Sequence, residues 1–228
     1  MKRELPVSGE AYGVPGVYGA RLVPYEGGVH VIVWINGTFG SGKTTIAHEL
    51  DRRLEKSIIY DPERFGFVFM KNVPQEIAKS DFQDYPLWRE ANVKLLKRIE
   101  NEYDGTIIVP MTLTTDKYFD EIIGVLRRDG VDVEHFTLVA SKETIQKRLR
   151  KRFEGKQSWA YQQMKGRIKK LESPLFAEHI ATDDKTIEEI VEQIAISVNL
   201  DLLPDSRSQL RKFIDRKFIS VKEARVFK

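Results

Sequence analysis

Residues 36–45 read Asn-Gly-Thr-Phe-Gly-Ser-Gly-Lys-Thr-Thr, and within them Gly37, Gly42, Lys43 and Thr44 complete the spacing G-x-x-x-x-G-K-T of a phosphate-binding loop. Each position has its own duty. The glycines let the backbone turn tightly and bring successive N–H groups within reach of phosphate oxygens. Lys43 supplies a positive charge for the β- and γ-phosphates, and Thr44 supplies a hydroxyl for Mg²⁺. A helix starting near Gly42 aims its positive dipole end at the same anion. The expected nucleotide-binding residues are therefore Gly37, Thr38, Phe39, Gly40, Ser41, Gly42, Lys43, Thr44 and Thr45, with ATP and Mg²⁺ as the ligands.

The flanks supply the context that a loop of this kind requires. Upstream, Val29-His30-Val31-Ile32-Val33-Trp34-Ile35 is a β-branched apolar run suited to a buried parallel strand. Downstream, Thr44 to Leu54 places Ile46, Ala47, Leu50 and Leu54 on one helical stripe. Further along, short apolar runs at 57–60, 106–111, 133–139 and about 179–181 read as four more strands. Helices are expected over about 87–102, 116–128 and 186–198, with two basic helices split near Gly155. Strands alternating with helices at this spacing mean a five-stranded parallel sheet covered on both faces, a three-layer α/β sandwich.

Composition narrows the classes. The 228-residue chain has no cysteine, so disulfides, thiolate zinc sites and cysteine nucleophiles are excluded. It has no run of 18 apolar residues, so no segment is expected to span a membrane, and the absence of cysteine is compatible with the cytoplasm. Residues 1–28 hold six glycines and three prolines without periodicity and read as a flexible extension lacking the apolar core of a secretory signal. A net charge of +3 is too mild to argue for nucleic acid. Three domains follow: the extension 1–28, a core 29–200 with a lid at about 144–172, and a basic tail 201–228.

Three further constellations carry chemistry. Asp61 follows the second strand, where a carboxylate looks across the cleft at the transferable phosphate, able to take a proton from an acceptor hydroxyl or to hold the magnesium water shell. Its neighbour Arg64 is placed to clamp a polar substrate group, while Glu63 reads as solvated or structural; a simple turn cap at Asp61-Pro62 is the plain alternative. The segment 142–170 contains eleven Lys/Arg and two Glu, with Arg148, Arg150, Arg152 and Arg167 among them. Beside a phosphate loop this reads as a lid that supplies positive charge and excludes water, although a solvated face or a nucleic-acid patch has the same composition. Over 206–228 there are eight basic and two acidic residues, and Leu210, Phe213, Ile214, Phe218 and Val221 form one stripe. Such a helix can lie on an anionic membrane surface or pack its stripe onto its own domain. The third strand ends Val109-Pro110-Met111-Thr112 with no Asp, so the usual second carboxylate of a magnesium site is missing there and Asp61 inherits the work.

Taken together, Trp34-Ile-Asn-Gly-Thr-Phe-Gly-Ser-Gly-Lys-Thr, Tyr60-Asp-Pro-Glu, Asp81-Phe-Gln-Asp-Tyr-Pro-Leu-Trp88 and Val109-Pro-Met-Thr112 resemble the ATP-binding tunicamycin resistance (TmrB-like) proteins, over about Val29 to Asn199. The wider group is similar to P-loop kinases such as adenylate, shikimate and gluconate kinases and chloramphenicol phosphotransferase. The resemblance implies a nucleoside-monophosphate-kinase-like fold. It also implies lid arginines Arg148 and Arg152, in the order adenine then phosphate, with Arg167 returning from the lid. Asp61 and a nearby Arg are similar to the pair with which zeta toxins serve phosphorylation of a UDP-sugar. The second ligand implied is tunicamycin or a nucleotide-sugar-like compound, with Trp88, Met111 and Thr112 in the segments where its pocket is sought. The reading is a Mg²⁺-dependent phosphotransferase in which Lys43, Asp61, Arg148 and Arg152 are catalytic. A drug-sequestering ATP-binding protein and an RNA or polynucleotide kinase are the other readings. Location in the cytoplasm, with contact to the inner membrane face through the tail, completes the expectation.

Overall fold

The structure, a computed structural model, describes residues 30–151 and 158–226. The extension 1–28, Val29 and the lid residues 152–157, Arg152 included, lie outside the described residues. Five strands, β1 (Ile32–Gly37), β2 (Ser57–Ile59), β3 (Thr106–Val109), β4 (Val133–Val139) and β5 (His179–Ala181), form one sheet in the order β2-β3-β1-β4-β5. Every pairing is parallel, with Ile32 opposite Ile107 on one side and Val133 on the other.

The helices are α1 (Lys43–Arg53), α2 (Pro62–Lys71), α3 (Pro86–Glu102), α4 (Asp116–Phe119), α5 (Val125–Arg128), α6 (Lys142–Arg150), α7 (Trp159–Leu171), α8 (Ile187–Ser197) and α9 (Gln209–Val226). A π-helical turn over Asp120–Gly124 joins α4 to α5, so the helix expected over 116–128 is one rod with a widened middle. Helix α8 begins where Thr186 and Glu189 form a reciprocal capping box.

Alternation along β1 builds two cores. Ile32 and Trp34 face one layer, with Ile107 and Val109 beside them and Leu96 of α3 and Ile122 above. Val33 and Ile35 face the other, against Ile46 and Leu50 of α1 and Ile190 and Ile194 of α8. Because the central strands are buried on both faces, they read as continuous apolar runs rather than alternating ones. This is the three-layer α/β sandwich of P-loop kinases, and it sets the phosphate-binding loop at the carboxyl end of the middle strand, between the diverging neighbours β3 and β4.

One helix escaped the sequence reading. Residues 62–71 form α2, with Asp61 as its N-cap accepting from the Glu63 amide at 3.0 Å and Pro62 in the first turn. The aromatic residues of this segment obscure its helical period, but the Asp-Pro start is a helix signal.

The tail departs from one of the two arrangements expected of its apolar stripe: the described residues of the stripe do not pack on the domain. Leu210, Phe213, Ile214 and Phe218 point outward, between 51% and 71% exposed. The side chain of Val221 lies outside the described residues. The basic face is the one that docks. Arg207 and Arg216 engage the buried Glu49 of α1, while Lys212 bonds Glu188 of α8 and pairs with Asp205. Acids on the partner helices decide the orientation, since burying unpaired cations against an apolar surface costs far more than leaving apolar groups in water.

Candidate active site

The loop conformation explains its glycines. Gly37 has φ +146°, and a Cβ there would stand 2.5 Å from Ser41 Oγ and 2.9 Å from the Leu138 carbonyl. Gly40 and Gly42 have φ of +76° and +111°, in the region where side chains are strained. No side chain caps the start of α1, which leaves its first amides to an anion. The hydroxyls of Thr38 and Ser41 are buried with no hydrogen-bond partner among the described residues, as befits a loop that receives a ligand's oxygens.

Below the loop a polar bolt fixes it to the sheet. The Asn36 side chain accepts from the Gly37 amide at 2.7 Å and the Leu113 amide at 3.0 Å, and donates to the Leu113 carbonyl at 2.8 Å. The Thr112 hydroxyl donates to the Gly37 carbonyl at 2.8 Å, and Lys43 Nζ donates to the same oxygen at 2.9 Å and to the Thr38 carbonyl at 3.2 Å. Thr112, sought in the pocket of the second ligand, thus braces the loop from the segment after β3. The braces from Asn36 to Leu113 and from Thr112 to Gly37 were not anticipated, because they join positions about 75 residues apart.

The cleft beside the loop is lined by Lys43, Thr44, His48, Ile59, Asp61, Glu63, Arg64 and Pro110. It brings together Asp61 and Arg64, which also pair at 3.4 Å, with Lys43 and Thr44 across from them. Thr44 and Asp61 are hard oxygen donors of the kind Mg²⁺ takes. No cluster of three His, Asp or Glu suited to a metal exists among the described residues, and so the fit is to an ion held largely by phosphate oxygens and water.

Of the two readings given for Glu63, solvated or structural, the first does not hold. Glu63 turns into the cleft, where burial pushes its carboxyl up to about 7 against the opposing pull of Lys43, with Asp61 adding to the rise. The N-terminal turn of α2 aims it there, and missing that helix concealed it. Arg167 of α7 lies with its guanidinium carbon 4.7 Å from the Phe39 ring centre and pairs with Asp81 at 3.7 Å. Helices α6 and α7 close over the loop through Ile145, Leu149 and Met164, against which Phe39 packs.

Arg148 is placed behind the loop, donating to the Ser41 carbonyl at 3.1 Å, to Thr182 Oγ1 at 2.9 Å and to the Thr182 carbonyl at 2.7 Å. Trp88 and Met111 do not reach the cleft: both are fully buried, Trp88 against Phe82 and Met111 under the Trp34 indole N–H. Their segments shape the site from beneath because bulky apolar groups gain most by filling the core. Of the histidines, His48 borders the cleft, and His179 Nε2 lies 2.7 Å from the Leu171 carbonyl.

Fold, loop and cleft define a nucleotide-binding P-loop protein of the kinase-like class, and a family model described as an AAA domain matches residues 32–174. No curated protein matches the chain. Among solved structures, the tunicamycin resistance protein of Deinococcus radiodurans is 33% identical with a TM-score of 0.67, covering 76% of this chain and 98% of that one. A sugar kinase from Janibacter sp. shares the fold at 20% identity and TM-score 0.52, covering 75% of this chain and 94% of that one. The chain belongs to the tunicamycin resistance (TmrB-like) family of P-loop kinase-like proteins.

Proposed function

We propose that the protein is a Mg²⁺-dependent phosphotransferase that moves the γ-phosphoryl group of ATP to a hydroxyl of a small molecule, with a tunicamycin-like nucleoside antibiotic as the substrate class. One observation carries this reading: a single cleft is bordered by Lys43 and Thr44 on its phosphate side and by Asp61 and Arg64 on the other. The resistance protein at 33% identity supports the drug as acceptor.

In this reading the loop amides and Lys43 hold the β- and γ-phosphates, and Arg64 orients the acceptor. Asp61 takes the proton of the acceptor hydroxyl as its oxygen bonds to the γ-phosphorus and the bond to ADP breaks. Arg167 supplies positive charge beside the loop, with the lid arginine Arg152 assigned the same task by the resemblance, while Arg148 braces the loop from behind through the Ser41 and Thr182 carbonyls. Bound Mg²⁺, with Thr44 and Asp61 as its protein donors, supplies neutralisation of phosphate charge.

A second reading, binding and sequestration of the drug with ATP as co-ligand, is favoured by two facts. Asp61 is already engaged in capping α2, and the residues directly after β3, 110–115, include no carboxylate. Mass spectrometry of tunicamycin incubated with protein, ATP and Mg²⁺ separates the two readings. A product heavier by one phosphate, formed with ADP, is expected; tight binding with unaltered drug overturns the enzyme.

The outward apolar stripe of α9 favours peripheral contact with the inner face of a membrane. It carries Lys217 alongside Phe213, with the ammonium 5.7 Å from the ring centre. No helix among the described residues is long and apolar enough to cross a bilayer.

A further inference from the structure

The segment Asp81–Trp88 is braced more heavily than a loop of its length needs. Phe82 is wedged against α2 at Gly66, where a Cβ would meet the ring at 2.5 Å. The Trp88 indole donates to the Pro62 carbonyl at 3.3 Å, tying the segment to the helix that carries Asp61 and Glu63. Arg89, buried and paired with Glu121, donates to the Gln83 carbonyl, and Tyr118 donates to Asp84 at 2.6 Å. Asp81 itself is oriented by the Gln83 amide, which donates to its Oδ1 at 2.9 Å. The other oxygen faces Arg167 at 3.7 Å. Both partners are largely withdrawn from solvent, with side chains 26% and 12% exposed, so the pair is little weakened by water and salt.

From this geometry we propose that Asp81 is a positioning residue, which holds the guanidinium of Arg167 over Phe39 so that the lid's arginine is already aligned with the phosphate loop. The rigid mount, the oriented carboxylate and the stacked ring fix three sides of a side chain that would otherwise sample many rotamers. A guanidinium offers five N–H donors in a planar fork, more than one carboxylate consumes, and it can serve a phosphate oxygen while still tied to Asp81. The segment that the resemblance assigns to the drug pocket thereby acquires a different duty: it sets the lid arginine relative to α2.

The catalytic consequence rests on the phosphotransferase reading; the consequence for nucleotide binding does not. The test is a double-mutant cycle over Asp81→Asn and Arg167→Ala, with Asp81→Glu as the conservative control. It is read in kcat, in KM for the acceptor and in Kd for a fluorescent ATP analogue, with thermal unfolding of each variant alongside. The expected result is a loss of about tenfold in kcat for Asp81→Asn with KM for the acceptor within about twofold. The double variant is expected to be no worse than Arg167→Ala alone, and Asp81→Glu to recover most of the loss. Multiplying losses in the double variant overturn the proposal, as does a lowered melting temperature with unchanged kcat and Kd. If the wild-type protein turns over no acceptor, the phosphotransferase reading fails by itself. Asp81 is then judged on the analogue Kd, where a non-additive loss of several-fold upholds its role and additive or absent losses overturn it.

Discussion

His135 Nε2 lies 3.2 Å from the side-chain amide nitrogen of Asn36, while its Nδ1 lies 2.9 Å from the Ala177 carbonyl. The amide nitrogen can only donate and the carbonyl can only accept, which makes the ring neutral with its proton on Nδ1. Burial, the largest influence, brings its pKa down from 6.5 to about 4. A base whose folded pKa lies below its unfolded value stabilises the fold fully above pH 6.5 and loses that contribution as pH falls through about 4. The fold should therefore lose about 3 kcal/mol between those values from this ring alone. Denaturant titrations at stepped pH check it, and His135→Gln should flatten the slope; an unchanged slope refutes the assignment.

Gly37→Ala should disable the phosphate loop. Its φ of +146° and the 2.5 Å approach of a Cβ to Ser41 Oγ leave no relaxed position for a methyl group. Strain of about 1 kcal/mol or more in the ATP-binding conformation lowers affinity by about fivefold or beyond. Calorimetric titration with ATP and Mg²⁺ measures the loss, and wild-type affinity would contradict the geometry.

Asp61→Asn keeps the side chain's size and its cap on α2 while removing the charge and the base. ATP binding should change little, whereas turnover should fall by about 100-fold or more. Single-turnover kinetics with the phosphorylated acceptor as readout decide this. Normal turnover would move the base elsewhere, with Glu63 the next carboxylate in the cleft.

Glu49→Ala leaves Arg207 and Arg216 facing α1 without the buried carboxylate they share. Because Arg207 keeps Asp205 and Asp215 and Arg216 keeps Glu188, the cost is below that of a lone buried pair, on the order of 1 kcal/mol. The melting temperature should drop accordingly, and amide exchange along α9 should accelerate. Unchanged exchange would mean that other contacts hold the helix.

Exchanging Phe213 and Phe218, which are 58% and 71% exposed, for Asp should leave folding intact and abolish sedimentation with vesicles of anionic lipid. Equal sedimentation of both proteins would dismiss the membrane reading.

Much of this protein was legible in its sequence because its strongest signals are local. The loop residues Gly37 to Thr45, the double-sided burial of β1 and the helical stripe of α1 all follow from spacing within a dozen positions. The place of Asp61 after β2 follows too, because a parallel sheet puts the carboxyl ends of its strands on one side. What the tertiary structure alone decided depends on contacts between distant positions. Glu63, Asp81 and Arg167 come from three elements, and only their packing puts Glu63 in one cleft with Lys43 and Arg167 between Asp81 and Phe39. Trp88 and Met111 carry no mark that tells a ligand-binding aromatic or thioether from a core one, and burial resolved it. The amphipathic period of α9 was evident from residues 210–221, but not which face would dock. Periodicity defines a stripe without naming its partner, and it was the acids Glu49 and Glu188 on other helices that turned the basic face inward and the apolar face out.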